Sequence, residues 1–186
     1  MTMLVAIDPG HGGDDPGATY EGTKEAVINL HVGLQLQALL RMQGYDTLLL
    51  RTTHEQTLSL SQRADLANRA GADCFVSIHC NASTNHTAHG FEVFAHTHKD
   101  HWLASHIALA KEAAFPDRRL RRGDIYPAKK ANYAVLRLTQ MPSALAELGF
   151  LSNPQGRQWL EQPSNQLRCA QAICQGIDQW NASTTR

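Results

Sequence analysis

Two histidines and two glutamates in this chain stand where chemistry is easily placed, at the ends of apolar runs or at the start of one. Leu4 to Ile7 leads into Asp8-Pro9-Gly10-His11, Phe75 to Ile78 leads into His79, and Ala144 to Ala146 leads into Glu147. Glu25 opens a stretch in which Ile28, Val32, Leu36 and Leu39 recur at spacings of 3, 4, 4 and 3, so its carboxylate falls on the apolar face of a helix. A carboxylate buried without partners is costly, which calls for a cation or several donors beside Glu25. Two His and one Glu are the ligand set of a catalytic zinc with one open position. Zinc lowers the pKa of water from about 16 toward 7 and polarises a carbonyl, but a base must still take the proton. The expectation is one zinc per chain on His11, Glu25 and His79, with Glu147 as the catalytic base.

Each residue also has a plainer reading. A first-turn Glu25 complements a helix dipole. A strand-end His79 is a common satisfied structural residue, and Glu147 at a strand end could cap a helix or pair with an arginine. The glycines around His11 could cradle phosphate, although their spacing matches neither the P-loop nor the dinucleotide fingerprint. Convergence decides among these readings, because the carboxyl ends of parallel strands share one rim. Cys80 follows His79 and faces the other way along an extended strand, which argues against a Cys-His nucleophile pair.

The elements that must position these residues alternate along the chain. Strands are expected at about 3 to 8, 45 to 51, 73 to 79, 90 to 95 and 143 to 148, with helices at about 25 to 43, 58 to 70, 99 to 114, 154 to 161 and 165 to 180. Gly44 suits the end of the first helix. This order predicts an α/β fold with a mostly parallel sheet covered on both faces. The run Cys74 to Ile78 is apolar on both parities apart from Ser77, as a central strand requires. Phe115 to Asn132 reads as loop, and Leu167, Ala170, Cys174 and Ile177 as the buried stripe of the last helix.

The 186 residues carry 17 basic and 17 acidic side chains. One domain is expected, without a broad nucleic-acid or membrane footprint. No apolar run approaches a membrane span, and Met1-Thr2-Met3 lacks the parts of a signal peptide. Cys74 and Cys80 would lie ~20 Å apart on an extended strand, too far for a disulfide. With Cys169 and Cys174 pointing apart on a helix, all four cysteines read as small buried residues. His96, His98 and His101 form a tract that reads as solvated surface or an adventitious second metal site. Arg118, Arg119, Arg121, Arg122, Lys129 and Lys130 are usual for a solvated run and possible as a rim for anionic substrate groups.

Five segments, in this order, resemble the zinc-dependent N-acetylmuramoyl-L-alanine amidases of the Amidase_3 type. They are Ile7-Asp-Pro-Gly-His-Gly-Gly with Asp15-Pro-Gly-Ala18, Glu25 before a helix, Ser77-Ile-His-Cys-Asn-Ala82, Val135-Leu-Arg137, and Glu147-Leu-Gly-Phe-Leu-Ser-Asn153. Ala172-Ile-Cys-Gln-Gly-Ile177 also looks like the family's terminal helix. The resemblance implies a single catalytic domain over residues 1–182 with a tail at 183–186, built on a six-stranded, mainly parallel sheet. It implies zinc on His11, Glu25 and His79 and a catalytic role for Glu147. The implied substrate is peptidoglycan, cut at the amide between N-acetylmuramic acid and the L-alanine of the stem peptide. A zinc peptidase or carboxypeptidase acting on that stem peptide is the alternative. Cys80 departs from the small residue expected there, and no wall-binding module accompanies the domain. Only the short stretch Phe115 to Asn132 stands where some members carry a helical plug, so no activator protein is expected. A lone catalytic domain without export signal or plug resembles a phage or prophage endolysin that is made in the cytoplasm and acts on the wall, although an autolysin's catalytic domain would look the same. A monomer is the expected state.

Overall fold

The computed structural model describes residues 2–117 and 127–184. In chain order the elements are β1 (Leu4–Pro9), β2 (Thr19–Tyr20), β3 (Thr23–Lys24), α1 (Glu25–Met42), β4 (Asp46–Leu49), α2 (Leu60–Ala70), β5 (Cys74–Asn81), β6 (Glu92–Ala95), α3 (His98–Ala114), β7 (Lys129–Lys130), α4 (Ala134–Leu138), β8 (Ser143–Phe150), α5 (Pro154–Glu161) and α6 (Pro163–Thr184). Six strands form one sheet in the order β4-β1-β5-β8-β6-β7. β4, β1, β5 and β8 run parallel, β6 is antiparallel to β8, and β7 runs parallel to β6. The fold is thus the α/β domain expected, with a mixed but mainly parallel sheet.

Period-two alternation explains why both faces are covered. Val5, Ile7, Val76, Ile78, Ala144 and Ala146 point to one face, where they meet Val32 and Leu36 of α1, Leu103 and Ile107 of α3, and Ile173 and Ile177 of α6. Ala6, Phe75 and Leu145, the alternate residues, point to the other face and meet Ala67 of α2 with Val135 and Leu136 of α4. Local signals start and stop the helices. α2 opens on a capping box between Ser59 and Gln62, and α1 stops before Gly44, whose φ of 87° suits a left-handed residue past a helix end.

Connectivity then fixes where the site lies. β1 connects through α1 to β4 on one side, and β4 returns through α2 to β5 on the other. The rim between β1 and β5 is therefore the point where the strand order reverses, the crevice in which α/β sheets bind ligands.

The structure corrects several local expectations. Phe115 to Asn132 is not all loop, because Lys129–Lys130 forms β7 against Phe94 and Ala95; two edge lysines carry no apolar alternation to reveal them. Thr19 to Lys24 is a hairpin whose two central residues, Glu21 and Gly22, have φ of 47° and 83°, as a type I′ turn needs. Of the stripe expected on α6, Ala170, Cys174 and Ile177 are buried, but Leu167 is 39% exposed, its place taken by Gln166, Cys169 and Ile173. One helical step of about 100° past Gln166 carries Leu167 to the margin of the buried face. The helix itself continues to Thr184.

Candidate active site

His11 lies two residues past β1, in a loop that doubles back through a bridge between Gly12 and Asp15. Its φ is 61°, a left-handed conformation uncommon for a residue with a Cβ. Polar contacts hold it there. Nδ1 lies 2.8 Å from Asp15 Oδ2, and the His11 carbonyl accepts from Arg63 Nη2 at 2.8 Å. Arg63 Nη1 also donates to Asp8 Oδ1 at 2.6 Å and to the Pro9 carbonyl at 3.0 Å, while Ser77 Oγ donates to Asp8 Oδ2 at 2.7 Å. The loop is therefore anchored to β5 and α2 by groups that leave His11 Nε2 pointing inward.

Glu25, 4% exposed, is met by donors on both oxygens. Oε1 lies 3.2 Å from His11 Nε2 and 2.9 Å from His79 Nδ1, and accepts from the Cys80 N–H at 3.0 Å and Asn29 Nδ2 at 3.2 Å. Oε2 accepts from the Ala18 N–H at 2.9 Å. The dipole of α1 is thus a secondary concern for this side chain, whose carboxylate is turned into the rim. Burial works against its charge, but the hydrogen bonds and charges of His11 and His79 outweigh that and hold it well below the usual carboxylate range. The same balance acts in reverse on His11. Burial disfavours its imidazolium, yet Glu25 and Asp15 together raise its pKa from 6.5 to about 9.

Two glycines make this approach possible. A Cβ on Gly10 would stand 2.2 Å from His79 Cε1, and one on Gly17 would stand 2.7 Å from both Glu25 Oε2 and His11 Cδ2. His11, Glu25 and His79 each offer a ligand atom, all within 4.8 Å of one another. Nitrogen and oxygen ligands at about 2.1 Å around a tetrahedral zinc would lie ~3.4 Å apart, close to the observed 2.9 and 3.2 Å. Donor set and spacing therefore fit zinc. Among the described residues no other cluster of His, Cys, Asp and Glu meets this test, and the tract His96, His98 and His101 does not.

Glu147 stands directly across from His79 in the β5–β8 register. It is 9% exposed, and its Oε2 is buried without a hydrogen-bond partner. Burial pushes its pKa up to about 7, with Glu25 and Glu92 adding to the rise and His79 and His11 opposing it. A carboxylate near neutrality with a spare oxygen suits proton transfer. It neither caps a helix nor pairs with an arginine through that oxygen, so the plainer reading of the residue fails. Alongside it, Glu92 faces Glu147 across the β6–β8 pair and is held by Asn81 Nδ2 at 2.6 Å and Lys129 Nζ at 2.5 Å. A cleft of about 670 Å³ runs past His11 and His79 between Asp15, Ser59 and Val135.

Of the basic cluster, Lys129 is thus engaged with Glu92, and Arg118, Arg119, Arg121 and Arg122 lie outside the described residues. All four cysteines are buried and none forms a disulfide; Cys80 Sγ is 3.6 Å from Asn29 Oδ1 and burial raises its thiol pKa. Asp15 and Gly17 fall in the Asp15-Pro-Gly-Ala18 segment of the resemblance, whereas nothing in the sequence marked Arg63 and Arg51 as neighbours of the site.

The family profile of N-acetylmuramoyl-L-alanine amidase (Amidase_3) matches residues 5–179. The chain belongs to this family. Among its relatives, the chain is 38% identical to N-acetylmuramoyl-L-alanine amidase CwlM of Bacillus licheniformis over 81% of its own length and 58% of that protein. It is 34% identical to the sporulation-specific N-acetylmuramoyl-L-alanine amidase of Bacillus subtilis over 95% of the chain and 68% of that protein. The chain thus spans little more than half to two thirds of these relatives' lengths. Among solved structures, the chain superposes on N-acetylmuramoyl-L-alanine amidase AmiC2 of Nostoc punctiforme with a TM-score of 0.90, at 32% identity over 97% of both chains. No helix among the described residues is long and apolar enough to cross a membrane.

Proposed function

We propose that the amidase hydrolyses the bond between N-acetylmuramic acid and the L-alanine of peptidoglycan stem peptides, with one zinc held by His11, Glu25 and His79. The observation that carries this reading is the convergence of three ligand atoms beside a buried carboxylate with an unsatisfied oxygen. Zinc in such a site acts as a Lewis acid that makes water a nucleophile near neutral pH and polarises a carbonyl. Asp15, through His11 Nδ1, fixes the tautomer that leaves Nε2 for the metal. Glu147 takes the proton of the attacking water and returns it to the departing alanine nitrogen. The same residues would serve a stem-peptide peptidase, so the bond chosen rests on family membership.

Mass spectrometry of products from purified peptidoglycan tests the choice. Free stem peptides with a new N-terminal alanine are expected, and glycan strands without new reducing ends. Shortened peptides still attached to muramic acid would replace this reading with the peptidase.

A further inference from the structure

Arg51, which follows β4 and belongs to neither ligand-bearing segment, joins the two halves of the site from outside both; Asn29 of α1 adds a second tie, its Nδ2 reaching the Gly10 carbonyl at 3.3 Å and Glu25 Oε1 at 3.2 Å. The Arg51 side chain is fully buried, at 0% exposure. Nη2 donates to the Gly10 carbonyl at 3.1 Å and to the Ala26 carbonyl at 2.9 Å, so one nitrogen holds the neighbours of His11 and Glu25 at once. Nε donates to the Pro9 carbonyl at 3.3 Å and Nη1 to the Thr53 carbonyl at 3.0 Å. The loop also closes over the stem, since a Cβ on Gly12 would stand 2.5 Å from Arg51 Cδ.

We propose that Arg51 is a positioning residue whose guanidinium sets the distance between His11 and Glu25 and so preorganises the metal site. The inference rests on zinc binding as proposed above. A buried guanidinium that donates to backbone carbonyls is an expensive way to stabilise a core, and a hydrophobic side chain of similar size would pack there without that cost. Its planar fork can reach carbonyls on three segments in fixed directions, whereas a lysine presents a single point of donation. The left-handed His11 is strained, and the Glu25 helix begins without a side-chain cap. Asp15 and Arg63 hold the His11 loop and the Ala18 N–H meets Glu25, and Arg51 adds a tie between the two backbones themselves. Arg51 couples the two through carbonyls one residue from each ligand.

Arg51→Lys tests this while keeping the charge. Zinc dissociation constants are measured on metal-free protein by competition with a chromophoric chelator, and the visible spectrum is recorded with cobalt(II) in place of zinc. Arg51→Lys should bind zinc about 10- to 100-fold more weakly, the usual scale for a group that orients metal ligands, with an altered cobalt spectrum and a cooperative melt. Leu103→Ala, a cavity in the α3 core away from the site, should lower the melting temperature but leave the zinc constant and cobalt spectrum unchanged. Zinc binding by Arg51→Lys within about threefold of wild type would overturn the proposal. So would an equal loss in Leu103→Ala, or an Arg51→Lys chain that fails to fold with or without zinc, since the guanidinium would then serve the whole domain. A wild type that takes up no zinc defeats the zinc reading first; a wild type and an Arg51→Lys that bind equally well defeat only the role of Arg51.

Discussion

Glu25 and Glu147 carry the same functional group on one rim, but donors reach both oxygens of the first and leave one oxygen of the second bare. Their substitutions should therefore fail differently. Glu147→Ala should keep its zinc and lose about 100-fold or more in rate, the scale of a positioned base. Glu25→Ala should weaken zinc binding and recover partly in excess zinc, and His79→Ala should lose nearly all its zinc by metal analysis. A Glu147→Ala enzyme near the wild-type rate on purified peptidoglycan would remove that residue from the mechanism. Zinc affinity should also depend on pH with a definite sign. Below about 9 the metal-free His11 holds a proton that zinc must displace, so affinity should rise as pH climbs from 6 to 9. In the metal-free protein the His11–Glu25 pair contributes stability that is complete between pH 4.5 and 6.5, lost as pH passes about 9 and lost again as acid protonates Glu25, a trend that thermal melts in chelator can follow. The four principal residues were legible in the sequence because each follows an apolar run or starts an apolar stripe, positions readable from neighbours in the chain. Arg63 and Arg51 were not, for their partners Asp8 and Ala26 lie 55 and 25 residues away, and no local pattern marks such an approach.

At the level of elements, the loop after β1 is as demanding as the strand. Gly10→Ala would drive a methyl into the His79 ring, and its neighbours are a proline and a loop already pinned by two arginines. The expected outcome is a folded protein, by far-UV circular dichroism, whose zinc content and activity both fall by an order of magnitude or more. Unchanged zinc content in Gly10→Ala would mean the ring can turn aside without cost. The long helices and central strands follow from periodicity, since a stripe or an alternation repeats several times within each. The hairpin before Glu25, the two-residue β7 and the five-residue α4 hold too few residues to show any period. In α6 the pattern admitted two neighbouring faces. Packing against α3 and α1 buries Cys169 and Ile173 together with the expected Ala170, Cys174 and Ile177, and leaves Leu167 out.

For the molecule as a whole, zinc binding as proposed would couple metal to fold. Zinc bound at about 1,000 times its dissociation constant adds ~4 kcal/mol to folding stability. For a chain of 186 residues, that corresponds to ~8 to 16 °C of melting temperature. Scanning fluorimetry with and without chelator should show this drop in the wild type, and no drop in His79→Ala. Sheet order and the reversal between β1 and β5 were within reach of the sequence because alternating elements admit few parallel topologies. The placement of β6 and β7 at the antiparallel edge depended on pairings too short to read. One further property comes from the four thiols, each at most 2% exposed and none in a disulfide. Thiolates react and buried thiols do not, so an aromatic disulfide reagent would colour only molecules that have opened. The chain carries its own clock of breathing: Cys80, whose N–H rests on Glu25, should report loosening around the rim, while Cys74 under the sheet should wait for the whole domain to come apart.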